Sequence, residues 1–200
     1  MLSQSDQPAV ARCLRQDDRA AWTSLYDTYC EDVWRYAARL IGSDEAAVAD
    51  VVQEVFLGAA QSATAFDPSR GTLWVWLSGI VHHRVAAYWR ERNRLRRLRE
   101  ALEAAGQEVP SSSAGEPSVE QLLERQETAD LVRYVLTQVS ADYAALLTGK
   151  YLDDCSLEVL AQRLGASPEA VKSKLARARQ EFRSCFERCS RQLRPLARPS

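Results

Sequence analysis

The sequence predicts an all-α protein made of two small helical domains joined by a flexible linker. Three observations predict it. Apolar residues recur at i, i+3, i+4 and i+7 rather than in the alternation of strands. A stretch rich in Pro, Ser and Gly interrupts this periodicity beyond the middle of the chain. Charges of opposite sign are gathered in separate blocks. The chain has 200 residues, 46% of them hydrophobic, which suits one core of ordinary size or two small ones and excludes a mainly disordered chain.

From Trp22 the apolar residues fall at Leu25, Tyr26, Tyr29, Val33, Tyr36, Ala37 and Leu40, a helical face carried over about five turns. Gly42 and Ser43 end this helix and start the next. There Val48, Val51, Val52, Val55 and Ala59 form one apolar stripe, while Asp50, Gln53, Glu54 and Leu57 lie about 200° round the helix, away from the core. The turn cluster Phe66-Asp67-Pro68-Ser69-Arg70-Gly71 follows, and Thr72 can cap a helix running from Leu73 through Trp76, Leu77, Ile80 and Tyr88 into a run of arginines.

Gly106 to Ser118 reads as a flexible tether within an acidic linker spanning 100–120, between a first domain at 1–99 and a second at 121–189; 190–200 is a basic tail. Ser118 and Gln121 form a capping-box signature for the next helix, with Leu122, Leu131, Val132 and Val135 on it. A second helix is expected over Tyr143 to Tyr151. A third starts at Ser156 as N-cap and ends at Gly165, which suits the left-handed C′ position. The last begins at Ser167-Pro168-Glu169: a capping serine, a proline where no N–H is needed, and an acid near the positive end of the helix dipole. Its inward stripe is Val171, Leu175, Ala178 and Phe182. A helix, a short turn with Gly and a second helix rich in Lys and Arg is the helix-turn-helix arrangement.

The formal net charge is only −1, yet it conceals strong segregation. Residues 1–57 carry five Arg against ten acids and residues 84–99 seven Arg against one Glu. Residues 100–130 carry one Arg against eight acids, and residues 168–200 nine Lys and Arg against three Glu. Two basic blocks separated by an acidic one imply two contact points with a polyanion, nucleic acid foremost. The N-terminus has no basic and apolar signal pattern, and no apolar run approaches the roughly 18 residues of a membrane span. A cytoplasmic protein without membrane insertion is expected.

On the last helix Lys172, Ser173, Lys174 and Arg177 are placed to enter a major groove, with Arg179 and Arg183 within reach of phosphate; a merely solvated basic face is the alternative. In the first domain His82, His83, Arg84, Tyr88, Trp89 and Arg90 interleave aromatic and basic groups, which can neutralise phosphates and stack on unpaired bases. Alternatively Tyr88 and Trp89 complete the core there. The stripe Asp50, Gln53, Glu54 with Leu57 reads either as a solvated face or as a docking surface with an apolar anchor. Adjacent His82 and His83 point about 100° apart and cannot share a metal ion. The five cysteines contain no C-x-x-C pair, and Cys185 and Cys189 continue the apolar stripe of the last helix, as small core thiols do. No phosphate loop, nucleophile elbow or catalytic acid pair is present in the sequence, so neither an enzyme nor a cofactor is expected.

Three motifs, Asp50-Val51-Val52-Gln53-Glu54-Val55-Phe56, Gly71-Thr72-Leu73-Trp74-Val75-Trp76-Leu77 and Val171-Lys172-Ser173-Lys174-Leu175-Ala176-Arg177-Ala178-Arg179, occur in this order. They resemble the bacterial sigma factors of the sigma-70 family, specifically the small extracytoplasmic-function (ECF) group, over about residues 17–99 and 128–188. The resemblance implies a region 2-like bundle, a region 4-like helix-turn-helix, and a protein that directs core RNA polymerase to promoter DNA. It assigns Asp50, Gln53, Glu54 and Leu57 to the β′ clamp helices of the polymerase and implies a second contact with the β flap. It assigns Asp67, Arg70, Thr72, Trp74, His83, Arg84, Tyr88, Trp89 and Arg90 to the minus-ten element, where a base is flipped out and captured. Ser167, Glu169, Lys172, Ser173, Lys174, Arg177 and Arg179 fall to the minus-thirty-five duplex. An anti-sigma factor or other regulator is a further implied partner. His83 stands where the family commonly has Asn, Val139-Ser140 where it has Leu-Pro, Glu169-Ala170 where it has Gly-Thr, and Lys174 where it has Arg, so the promoter sequence does not carry over. The rival readings are a free-standing dimeric helix-turn-helix regulator binding a two-fold operator, and a helical adaptor that binds polymerase and no DNA.

Overall fold

A computed structural model describes residues 7–16, 18–104 and 119–193. Eight α-helices and one short 3₁₀ turn occur among the described residues, and no strand. The tether read over 106–118, with the Ser118 cap, lies outside them.

Helix α1 spans Gln7–Arg15, α2 Arg19–Ile41, α3 Glu45–Gln61 and α4 Leu73–Ala104. No apolar period announces α1, a short helix whose Ala11 and Leu14 are buried. Each following boundary has a local cause. The Asp18 side chain accepts from the Ala20 amide and starts α2 three residues before Trp22. At its other end Gly42 has φ 104°, and its amide returns to the carbonyl of Ala38. A side chain at Gly42 would be strained by that φ and would meet the Arg133 guanidinium at 3.0 Å. The next cap is Asp44, which accepts from Ala47, and not Ser43.

Leu25, Tyr29, Val33, Tyr36, Ala37 and Leu40 of α2 face Val48, Val51, Val52, Val55 and Ala59 of α3. Leu73, Trp74, Leu77, Val81, Val85 and Trp89 of α4 close the bundle. Burial of each of the larger aliphatics contributes about 1.5–3 kcal/mol. Trp74 takes the core position, whereas Trp76 is half-buried against Phe66.

Helices α5 (Val119–Leu136), α6 (Ala141–Tyr151), α7 (Leu157–Leu164) and α8 (Pro168–Leu193) form the second module. Ser140 caps α6 and Ser156 caps α7. Gly165 has φ 63°, and the amides of Gly165 and Ala166 return to Gln162 and Ala161, so the chain turns without a Cβ penalty. The Ser167 hydroxyl then accepts from Ala170 to open α8. Val171, Leu175 and Ala178 pack inward, and Cys185 and Cys189 join Val135, Val139 and Ala144 in a small core. Both thiols are core groups, as their spacing predicts.

The larger core is continuous across the two modules: Leu136, Leu146, Leu147 and Leu160 pack with the bundle of α2, α3 and α4. Helix α4 lies against α6 and α7, and α2 against α5 and α6. The tether reading did not predict this closed arrangement.

Candidate nucleic-acid and polymerase interfaces

On α3 the apolar stripe is spent on the core, which leaves Asp50, Gln53 and Glu54 exposed and Leu57 55% exposed beside them. Next to Leu57, Phe56 packs its ring on the exposed Tyr26 at 4.8 Å between centroids. Glu54 faces Arg84 of α4 at 3.5 Å. The side chains are 36% and 55% exposed, so the pair contributes less than about 1 kcal/mol and leaves the acid available to a partner. Arg84, read as a DNA contact, is thereby drawn toward the acidic face.

The loop before α4 is ordered by its own polar groups. Asp67 accepts from the hydroxyl of Ser69 at 2.7 Å and from its amide at 2.9 Å, and these bonds hold the carboxyl below its ordinary value of 3.8. Arg15 donates to the carbonyl of the buried Phe66 at 2.7 Å. Arg70 is exposed. The Thr72 hydroxyl caps α4 by accepting from the Val75 amide and donates to the carbonyl of Arg163 on α7 at 2.6 Å. Trp74, 5% exposed, meets Tyr36 edge-on and lies under the Arg163 guanidinium, 5.5 Å from the ring centre.

Further along α4, His83 and Arg90 are exposed. Tyr88 donates to Asp44 at 3.3 Å and accepts from Arg92 at 3.2 Å. Of the two readings left open for Trp89, the structure takes the core: the indole is buried and donates to the carbonyl of Leu40 at 3.0 Å. Arg92 lies over that ring and pairs with Asp130 of α5 at 3.0 Å, while Tyr134 of α5 meets the same indole edge-on. His82 is half-buried and its Nε2–H donates to the carbonyl of Leu136 at 3.2 Å.

On α8, Glu169, Lys172, Ser173 and Arg177 are exposed. Lys174 instead turns back to pair with Asp142 of α6, and Arg179 donates to the Tyr151 hydroxyl at 3.2 Å. The face that a groove can receive without breaking an internal contact is therefore Lys172, Ser173 and Arg177. Sequence reasoning missed Asp32, Asp130, Tyr134 and Arg163. All four act across the modules, where only contact in space signals them.

The chain therefore carries an exposed acidic face on one module and a basic helix-turn-helix on the other. Residues 25–95 match the Sigma-70 region 2 family, and residues 129–182 match Sigma-70, region 4. The chain belongs to the sigma-70 family. Its similarity to the ECF RNA polymerase sigma factor SigL of Mycobacterium tuberculosis, at 29% identity over 158 residues, covers 79% of this chain and 84% of the relative. This places it in the extracytoplasmic-function group. Two solved structures are similar in outline. CnrH in complex with the cytosolic domain of CnrY is 20% identical, with TM-score 0.45 over 90% of this chain and 97% of that one. RpoE in complex with the anti-sigma factor NepR from Bartonella quintana is 19% identical, with TM-score 0.40 over 82% and 96%. Among the described residues of this sigma factor no helix is long and apolar enough to cross a membrane.

Proposed function

We propose that this sigma factor divides its labour by surface. Asp50, Gln53 and Glu54, with Leu57 as apolar anchor, dock on the β′ clamp helices of core RNA polymerase, and the second module meets the β flap. The loop 66–72 and the start of α4 capture an unpaired base of the minus-ten element, where His83 and Arg90 accompany the displaced strand. Lys172, Ser173 and Arg177 read the minus-thirty-five duplex, and Glu169 at the N-terminus of α8 is placed to accept from a cytosine amino group. The protein acts by binding, in the cytoplasm, with an anti-sigma factor or another regulator as the further partner the family implies.

The observation that carries this reading is the separation of signs. The exposed Asp50 and Glu54 lie on α3, whereas the exposed Lys172 and Arg177 lie on α8 of the other module. An acidic face repels DNA and suits a protein partner; a basic helix after a tight glycine turn suits a groove.

Run-off transcription from a promoter library, with core polymerase in the presence and absence of the protein, tests it. Starts that depend on the protein and share two upstream elements are expected. An inactive polymerase, with the protein alone protecting a palindromic site, would overturn it in favour of a dimeric regulator.

A further inference from the structure

Arg163 makes three contacts with the first module. Its carbonyl accepts the Thr72 hydroxyl at 2.6 Å, its guanidinium covers the Trp74 ring at 5.5 Å, and the same guanidinium pairs with Asp32 of α2 at 3.1 Å. The side chains of this ion pair are only 17% and 19% exposed. Thr72 and Trp74 are each 5% exposed. Both belong to the segment proposed above to capture the minus-ten base.

The contacts are of the kind a nucleobase makes. A planar cationic group over an indole occupies the face on which a base stacks, and the carbonyl takes the hydroxyl proton that a base acceptor would take. We infer that Arg163 is an internal stand-in for the captured base, a latch that makes closure of the two modules and capture of the minus-ten strand mutually exclusive. This rests on the assignment of Thr72 and Trp74 to that strand.

Beside the apolar contacts of Leu136, Leu146, Leu147 and Leu160, the polar part of the interface suits a latch that opens. Arg39 pairs with Asp153 at 3.0 Å and Arg92 with Asp130 at 3.0 Å, and both arginines are nearly half exposed. Such pairs hold weakly and separate readily. The buried Tyr36 hydroxyl and Arg163 Nε find no hydrogen-bond partner among the described residues, and both residues line a cavity of about 10 Å³ between the modules. Opening returns these groups to water, which offsets part of the contact area lost.

Closure leaves Asp50, Gln53, Glu54 and Leu57 exposed, together with Lys172, Ser173 and Arg177. Polymerase docking therefore does not require prior opening, whereas base capture does. The order is polymerase first, opening second, single strand last, and the free chain is kept from sequestering unpaired DNA.

The test uses the full chain carrying Arg163→Ala, with Asp32→Asn as a second variant that frees the guanidinium without touching Thr72 or Trp74. The probe is the fluorescent non-template strand of the minus-ten element from a promoter found in the run-off assay. Its affinity is measured by anisotropy without core polymerase, and the radius of gyration by small-angle scattering. Both variants are expected to expand and to bind the strand more tightly than the parent, roughly five- to thirtyfold for Arg163→Ala, with the difference vanishing in the holoenzyme. Folded variants with unchanged size and affinity would overturn the latch, as would expansion with no gain in affinity. Failure of the minus-ten assignment shows separately: a Thr72→Ala, Trp74→Ala holoenzyme would then open the same promoter as well as the parent.

Discussion

The indole N–H of Trp89 donates to the carbonyl of Leu40 at 3.0 Å, so a side chain of α4 satisfies one of the carbonyls left open at the end of α2. The same ring is flanked by Tyr88, Tyr134 and the Arg92 guanidinium. One residue thus fixes the angle between two helices of the first module and receives the second. Trp89→Phe keeps most of the packing and removes the donor. It is expected to destabilise the protein by about 1–3 kcal/mol, the cost of a buried unpaired carbonyl, read as a lower urea midpoint with unchanged slope.

Glu54→Arg places a cation opposite Arg84 on the α3 face. Both positions are solvent-accessible, so the helical circular dichroism spectrum should not change. Affinity for core polymerase should fall on the order of tenfold, measured by competition against a labelled sigma factor. Duplex binding through α8 should be unaffected, and equal losses in both assays would contradict separate surfaces.

Lys172→Ala with Arg177→Ala should weaken duplex binding and make it less salt-sensitive, the log–log slope shrinking by about 1 for each phosphate contact removed. Lys174→Ala should differ. Its ammonium is engaged with Asp142 between α8 and α6, so the expected effect is a small loss of stability and a smaller change in salt slope than at Lys172.

Burial pushes the His82 imidazole below its ordinary value of 6.5, with His83 adding repulsion and the carbonyls of Leu136 and Val139 opposing. The unfolded chain therefore binds this proton at a higher pH than the folded one. Stability rises with pH in that window and is lost as pH falls through 6.5 toward the folded value. Urea midpoints between about pH 7.5 and 5.5 should fall on acidification. His82→Gln, which keeps a donor for Leu136, should flatten the slope; an unchanged slope would remove His82 as its source.

The helix periods of α2 and α3, the helix-turn-helix with its Ser156, Gly165 and Ser167 signals, and the exposed stripe Asp50, Gln53, Glu54, Leu57 were legible in the sequence. Each depends on neighbours within a turn or two: a cap oxygen on an amide three residues away, or an apolar side every third or fourth position. Boundary shifts have the same local origin. Asp44 and Ser43 are both competent caps, and only the backbone path after Gly42 selects Asp44. Helix α1 was not legible, because its inward side is little more than Ala11 and Leu14, too few residues to show a period.

Trp89 and Lys174 mark where such reading stops. An aromatic in a basic run and a lysine on a recognition helix have the same sequence signature whether they face DNA or the protein interior. Leu40 and Asp142 decide between the two, and they lie 49 and 32 residues away.

The sequence by itself determined the helices, their caps, the division into an acidic and a basic surface, and through three ordered motifs the family. Tertiary structure alone decided that the modules close on each other and that Arg163 covers Thr72 and Trp74. The physical reason is separation along the chain. Helix formation is governed by hydrogen bonds and side-chain contacts a few residues apart. The closing contacts join residues 91, 114 and 131 positions apart, at Thr72–Arg163, Arg39–Asp153 and Asp32–Arg163, and no local pattern encodes which charge will meet which.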